Sequence, residues 1–76
     1  MANYQLDTGN TLCPIPVIRA QDRIAELQAG DQLEVTASDP GALNDIPAWC
    51  RINGHTVLET REDGYRVVVV IEVGEG

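Results

Sequence analysis

The residues best suited to chemistry in this chain form one short segment, Leu12-Cys13-Pro14-Ile15-Pro16. Proline is tolerated in the first turn of a helix, where its missing N–H would have no partner, so Pro14 and Pro16 predict a stiff helix start. Cys13 then takes the cap position, where unpaired backbone N–H groups and the positive end of the helix dipole favour thiolate over thiol. Because the thiolate is the nucleophilic form, the segment predicts a reactive cysteine.

The second cysteine and the single histidine are weaker candidates. Cys50 shares an apolar helical face with Leu43 and Ile46, which favours a buried and inert thiol. A resolving role toward Cys13 stays open as the alternative, although the two cysteines lack a Cys-x-x-Cys spacing. His55 is the only general base by residue type, and its place before a predicted strand favours a structural or surface role. One histidine and two distant cysteines make no zinc site, so we expect neither a metal nor a bound cofactor.

The charge balance limits the choice of partners. The chain has five basic and 12 acidic residues, which gives a formal net charge of −7 and a pI near 4.3. Such a surface repels a phosphate backbone, so direct, stable nucleic-acid binding is not expected. Basic partners, or partners met through a local patch, are favoured instead.

Length and terminal composition indicate one small cytoplasmic domain. Seventy-six residues are enough for a single domain, residues 1–76, with a modest core. The first five residues contain neither a basic run nor an apolar stretch typical of a signal peptide, and no segment approaches the roughly 20 apolar residues that span a bilayer. Two cysteines are too few for a disulfide scaffold. We therefore expect a cytoplasmic protein that makes no membrane contact.

Hydrophobic periodicity predicts the first half of the fold. A short alternation around Tyr4 and Leu6 predicts a strand over residues 3–8. Apolar residues at steps of three and four then predict a helix from residue 14 to about 29, ended by Gly30. This helix buries Val17, Ala20, Ile24 and Leu27, with Ile18 and Ala25 widening the stripe. The alternation over residues 32–38 predicts a second strand.

The second half predicts a helix and a hairpin. Asp39-Pro40 resembles a helix start, and Gly54 closes that segment. Pro47 either kinks this helix or marks a restart near Asp45. Residues 56–62 and 65–73 predict two strands joined at Asp63-Gly64, and the apolar run over 67–71 indicates a strand that is central or buried on both faces. The order βαβαββ, with only two helices, predicts a two-layer α/β sandwich with both helices on one sheet face.

Two motifs in this order resemble the TusA/SirA-like sulfurtransferases. Residues 12–20 are similar to the Cys-Pro-x-Pro signature of that family, which follows a strand with Leu-Asp and a Gly, here Leu6-Asp7 and Gly9. Residues 38–41, 45–50 and 54–55 are similar to its second-helix pattern. The resemblance covers about residues 6–73. It implies a βαβαββ fold with both helices on one side of a mixed four-stranded sheet.

The resemblance also implies a function for Cys13. Members carry sulfur as a persulfide on the signature cysteine, received from a cysteine desulfurase or a rhodanese and passed to an acceptor protein. The known routes serve tRNA thiolation, molybdenum cofactor synthesis and sulfur oxidation. Many members carry several lysines after the signature, whereas this chain has only Arg19 and Arg23 there, interrupted by Asp22. Arg19 is a candidate for docking an acidic partner, with a solvated surface arginine as the alternative, and Pro14 and Pro16 shape the turn.

The sequence thus predicts a sulfur carrier that works as a transferase in the relay sense, through Cys13, and as a monomer. One alternative is a thiol redox switch that uses Cys13 with Cys50. A second is an interaction or regulatory module in which Cys13 is incidental. RNA binding, suggested by the βαβαββ order alone, is disfavoured by the negative charge.

Overall fold

A computed structural model describes residues 2–9 and 15–74 of the chain. The secondary structure follows the predicted order. The strands and helices are β1 (Asn3–Asp7), α1 (Ile15–Ile24), β2 (Gln32–Ala37), α2 (Ala42–Ile52), β3 (Thr56–Asp63) and β4 (Arg66–Glu72).

The four strands form one mixed sheet in the order β1-β2-β4-β3. β1 and β2 are parallel, whereas β4 runs antiparallel to both β2 and β3. The register aligns one row of residues at the ends of β1 and β2, here called the carboxyl edge, and another at their beginnings, here called the amino edge. The carboxyl-edge row is Asp7, Thr36, Val68 and Arg61, and the amino-edge row is Asn3, Gln32, Glu72 and Thr56.

Both helices cover the same face of the sheet, which confirms the predicted two-layer sandwich. Buried and half-buried residues alternate along β2 and β4, so only one face of these strands is fully buried. The apolar run in β4 is therefore central in the sheet without being buried on both faces, and Val68 and Val70 lie half-buried on the open face. The buried hydrophobic residues are Ala20, Ile24, Leu33, Val35, Ala37, Ala42, Ile46, Cys50, Val67, Val69, Ile71 and Val73.

α1 is shorter than its apolar periodicity predicts. It ends at Ile24, and the chain continues through turns in which the N–H of Leu27 donates to the carbonyl of Ile24 at 2.9 Å. These turns keep Leu27 half-buried against the core, which explains why the helical spacing extends beyond the helix. Ala25 and Ile18 are exposed, so the prediction that they widen the buried stripe is wrong.

The prediction that Gly30 ends α1 is wrong, because α1 ends at Ile24 and Gly30 lies at the amino edge of the sheet. Its φ is 93°, and its N–H donates to the carbonyl of Val73 at 2.8 Å. The carboxylate of the following Asp31 accepts the N–H groups of Gln28 and Ala2 at 2.9 and 3.1 Å. These two hydrogen bonds, that to Gln28 first, lower the pKa of Asp31. The segment after α1 therefore ties both ends of the described chain to the sheet.

α2 is one helix that continues through Pro47. It begins at Ala42, so it does not restart near Asp45. Pro47 lacks the N–H that would bond the carbonyl of Leu43 in the preceding turn, and the helix accommodates this loss close to its start. The helix starts two residues later than Asp39-Pro40 predicts: its N-cap is Gly41, without a side-chain cap hydrogen bond, and Oδ1 of Asp39 accepts the N–H of Gly41 at 3.0 Å in the preceding turn.

The β3–β4 hairpin turns one residue later than predicted. Asp63 is the last residue of β3, and Gly64 and Tyr65 form the turn. Gly64 has a φ of 63° and occupies the first central position of the turn, where glycine adopts positive φ without steric cost. Tyr65 is 92% exposed at the tip.

Among the described residues, no helix is long and apolar enough to cross a membrane.

Candidate functional site

The sequence segment singled out for chemistry connects β1 to α1. β1 ends at the carboxyl edge, and both α1 and α2 begin on that side because each links a strand that ends there to the next strand. Cys13 and Pro14 lie outside the described residues. The predicted cap position of Cys13 therefore stays a prediction, and the described part of the site consists of the residues on either side.

Thr8 fixes the chain just before this segment. Its side chain is only 2% exposed. The backbone N–H and the hydroxyl of Thr8 both donate to the carbonyl oxygen of Thr36, at 2.9 and 3.1 Å. Two hydrogen bonds to a single acceptor on β2 extend the β1–β2 pairing one residue past the end of β1. The segment that contains Cys13 thus starts from a buried and firmly held position.

Gly9 adopts a turn conformation at the start of the Cys13 segment. Its φ is 69°, a left-handed conformation that an L-residue with a side chain rarely adopts. The N–H of Gly9 donates to Oδ1 of Asp7 at 2.8 Å, and its carbonyl accepts the hydroxyl of Ser38 at 3.2 Å. These contacts give a physical role to the Leu-Asp and Gly of the family resemblance: the carboxylate stabilises the turn that the glycine makes.

Pro16 anchors the other side of the segment. It lies in the first turn of α1, as predicted, and its side chain is fully buried. Its neighbours Ile15 and Ile18 are 43% and 50% exposed, and Arg19 is also exposed. Among the described residues, Arg19 makes no ion pair. The start of α1 therefore presents two apolar side chains and a free cation to solvent.

A small hollow lies between Gly9 and the hairpin at the carboxyl edge. Its volume is about 180 Å³, and it is lined by Asp7, Gly9, Thr36, Ala37, Ser38 and Arg66. Arg66 supplies the only positive charge in this lining. The sequence did not single out Thr8, Ser38 or Arg66, because their importance depends on which strands become neighbours. The Asp-x-Gly spacing of Asp7 and Gly9 was the one local signal for this turn.

Cys50 is the buried thiol that the sequence predicts. Its side chain is fully buried on α2, and burial raises the pKa of the thiol to about 11. Because the thiolate is the reactive form, this environment suppresses the reactivity of Cys50. Cys50 also lies eight residues after Ala42, about 12 Å along the helix axis from the start of α2 at the carboxyl edge.

His55 has a structural position at the amino edge. Its Nδ1 accepts the N–H of Gly74 at 2.9 Å, and its ring stacks on Trp49 with centroids 5.2 Å apart. Desolvation by burial lowers the pKa of His55. The length of β1 separates this edge from the carboxyl edge by about 13 Å, so His55 is not a base for chemistry beside Gly9.

No group of three His, Cys, Asp or Glu residues within residues 2–9 and 15–74 could hold a metal ion.

Comparison with known proteins places the whole arrangement in one family. The family model described as sulfurtransferase TusA matches residues 4–73. A protein of Neisseria meningitidis named as a candidate sulfur carrier is 42% identical over 71 residues, which cover 92% of this chain and 96% of that protein. The sulfur carrier protein TusA of Allochromatium vinosum is 33% identical over 66 residues, covering 84% and 87% of the two chains.

A solved structure agrees with both the sequence and the fold. The SirA-like protein of Desulfitobacterium hafniense superimposes with a TM-score of 0.79 and is 31% identical, over 95% of this chain and 99% of that one. The match confirms the predicted mixed sheet with two helices. The chain belongs to the TusA family of sulfurtransferases.

Proposed function

We propose that this protein is a sulfur carrier, one domain over residues 1–76, that holds sulfane sulfur as a persulfide on Cys13. The sulfur comes from a cysteine desulfurase or a rhodanese and passes to a downstream acceptor protein. The protein acts as a transferase only in the sense of a relay. Family membership supports the carrier role, and the sequence supports Cys13 as the site.

The observation that carries this proposal is the anchoring on both sides of the Cys13 segment. Thr8 and Gly9 are bonded to β2 and its continuation on one side, and Pro16 is buried on the other. Thr8 and Pro16 bracket the segment in sequence, on the side of the sheet where both helices begin. A carrier needs such an arrangement, because its thiol must reach two different proteins from a stable framework.

The chemistry is two successive displacements at sulfur. The Cys13 thiolate attacks the terminal sulfur of the donor's persulfide, forming a new S–S bond while the donor thiolate leaves. The acceptor thiolate then attacks the terminal sulfur on Cys13, and the Cys13 thiolate leaves. No external oxidant or reductant is consumed, since each bond formed is matched by one broken.

Partner proteins meet the protein through the exposed start of α1. Ile15, Ile18 and Arg19 form a mixed apolar and cationic surface directly after the signature. Arg19 is the residue we propose for docking, and Pro14 and Pro16 shape the turn without taking part in bond making. The redox-switch alternative needs Cys50 as a partner thiol, and burial of Cys50 with a raised pKa argues against it.

Intact-mass spectrometry tests the proposal. The purified protein is incubated with a cysteine desulfurase and cysteine, or with a rhodanese and thiosulfate, beside the variants Cys13→Ser and Cys50→Ser. One added sulfur that persists in Cys50→Ser, is absent from Cys13→Ser and is released by a reductant supports the carrier. No added sulfur from either donor, together with a Cys13–Cys50 disulfide on mild oxidation, would support the redox switch instead.

A further inference from the structure

We propose that Tyr65 and Arg66, at the tip of the β3–β4 hairpin, recognise a carboxylate-bearing segment of the protein that exchanges sulfur with Cys13. This inference rests on the proposed function and names a second contact surface for the same partner. The hairpin tip is distant in sequence from the Cys13 segment. Only the order of strands in the sheet places it at the carboxyl edge.

Arg66 lies beside the chain that leads to Cys13. Arg66 is the first residue of β4 and pairs with Asp63, two residues beyond the carboxyl-edge row toward the hairpin turn. It lines the 180 Å³ hollow together with Gly9 and Ser38, the pair joined by the hydrogen bond described above. Arg66 also lines a second hollow of about 520 Å³ on the open face of the sheet, whose other lining residues are Glu34, Thr36, Arg61, Glu62, Asp63 and Val68. A partner segment that docks beside Gly9, where the chain leads on to Cys13, can therefore contact Arg66.

Arg66 is unpaired in an acidic protein. Within the described residues it has no ion pair, whereas Arg61 pairs with Glu59 at 2.6 Å and with Glu34 at 3.8 Å. The acidic residue lining the smaller hollow, Asp7, accepts the N–H of Gly9. Although acidic residues such as Asp63, opposite Arg66 on β3, lie nearby, none of the described carboxylates forms an ion pair with this guanidinium. A guanidinium with free donors binds a carboxylate in a bidentate manner.

Tyr65 supplies the second element of a recognition surface. At 92% exposure it has almost no contact with its own fold. A tyrosine gives large contact area with little loss of side-chain freedom, and tyrosine and arginine are the residue types that dominate binding energy at protein interfaces. The two adjacent residues thus provide an apolar surface and a cation next to each other.

A protein partner fits this surface better than a nucleic acid. Glu59, Glu62 and Asp63 are exposed on the same hairpin, and they would repel a polyanion. A single carboxylate on a protein segment avoids most of this repulsion and still pairs with Arg66. We therefore commit to a protein segment with an Asp or Glu side chain as the occupant.

The test is the concentration dependence of sulfur loading onto Cys13. Loading by a cysteine desulfurase with cysteine, or by a rhodanese with thiosulfate, is followed by intact mass for the wild type, Arg66→Glu, Tyr65→Ala and the matched control Arg51→Glu. Arg51 is exposed near the end of α2, toward the amino edge. We expect Arg66→Glu to lower kcat/KM about tenfold and Tyr65→Ala about threefold, with kcat nearly unchanged. Arg51→Glu should stay within about twofold of the wild type.

Two further measurements separate recognition from folding and from chemistry. The rate of Cys13 alkylation by iodoacetamide should be similar in all four proteins, and so should the unfolding midpoint. Equal kcat/KM for Arg66→Glu and the wild type, or an equal loss in Arg51→Glu, would overturn the inference. Salt-sensitive RNA binding that disappears in Arg66→Glu would also overturn it. If the wild type takes up no sulfur, the proposed function itself fails, which is a distinct result.

Discussion

The two edges of the sheet are built in different ways. At the amino edge, backbone and side-chain hydrogen bonds join segments far apart in sequence: Gly30 to Val73, Asp31 to Ala2, and His55 to Gly74. At the carboxyl edge, hydrogen bonds hold Thr8 and Gly9 to Thr36 and Ser38, and the surrounding surface exposes Ile15, Ile18 and Tyr65. The amino edge joins both ends of the described chain to the sheet, whereas the carboxyl edge holds the residues before the Cys13 segment and leaves large side chains exposed nearby.

This difference also separates the two cysteines. Cys50 is buried among the residues that hold the helices to the sheet, and burial raises its pKa to about 11. The Cys13 segment follows Thr8 and Gly9, whose hydrogen bonds to Thr36 and Ser38 hold the backbone at its start. Stability and sulfur transfer are therefore expected to respond to different substitutions.

The largest expected effect comes from Cys50→Ser. The hydroxyl would lie in a fully buried apolar site, so we expect a loss of about 2 kcal/mol in the free energy of unfolding. Urea denaturation measures this loss. Cys50→Ala removes the sulfur without adding a hydroxyl, so it separates the cost of burying the hydroxyl from the cost of losing the sulfur. Sulfur loading onto Cys13 should be unchanged under native conditions. Loss of loading in a folded Cys50→Ser protein would contradict the separation.

A smaller loss of stability is expected from Gly9→Ala, together with a functional effect. A Cβ at Gly9 meets no atom of the described residues within 4 Å, so the expected cost is that of the left-handed backbone at φ 69°, about 1 kcal/mol. Relief of this strain would redirect the chain that leads to Cys13, and the rate of sulfur loading should fall. Gly9→Asn is the control, because asparagine tolerates this conformation better and should retain more activity. A Gly9→Ala protein that loads sulfur normally would show that the turn does not position the segment.

The smallest effect is a pH dependence at the amino edge. Desolvation lowers the folded-state pKa of His55 below its ordinary value of 6.5, so the unfolded chain binds the proton more tightly. Neutral His55 therefore contributes fully to stability above about pH 6.5, and this contribution is lost as the pH falls toward the folded-state pKa. Protonation also removes the Nδ1 acceptor of the Gly74 N–H. Denaturation curves measure this effect: between about pH 7.5 and 5, the free energy of unfolding should decrease less in His55→Gln than in the wild type.

The pH window of His55 is distinct from that of Asp31. The pKa of Asp31 is lowered below 3.8, mainly by the Gln28 N–H and then by the Ala2 N–H, so its stabilising contribution is lost only at more acidic pH. An identical pH dependence in the wild type and His55→Gln would show that the His55–Gly74 contact does not contribute.

The sequence by itself determined the order of elements, the helix start around Pro16, the buried face of α2 and the family. These features depend on local chemistry: proline at a helix start, apolar residues at helical spacing, and Asp-Gly near a tight turn. The predicted helix boundaries were wrong where hydrogen bonds to residues distant in sequence outweigh the local apolar spacing. The periodicity of α1 extends to Leu27, yet Ile24 ends the helix because the next segment turns toward the strands and Gly30 bonds to Val73.

Only the tertiary structure decided which residues surround the Cys13 segment. Thr8 is buried because β2 lies beside β1, and Arg66 lines the hollow next to Gly9 because β4 occupies the centre of the sheet. His55 and its hydrogen-bond partner Gly74 are 19 positions apart in the sequence. Contacts of this kind depend on strand order and register, which arise from packing the whole sheet against two helices and have no signature within a short stretch of sequence.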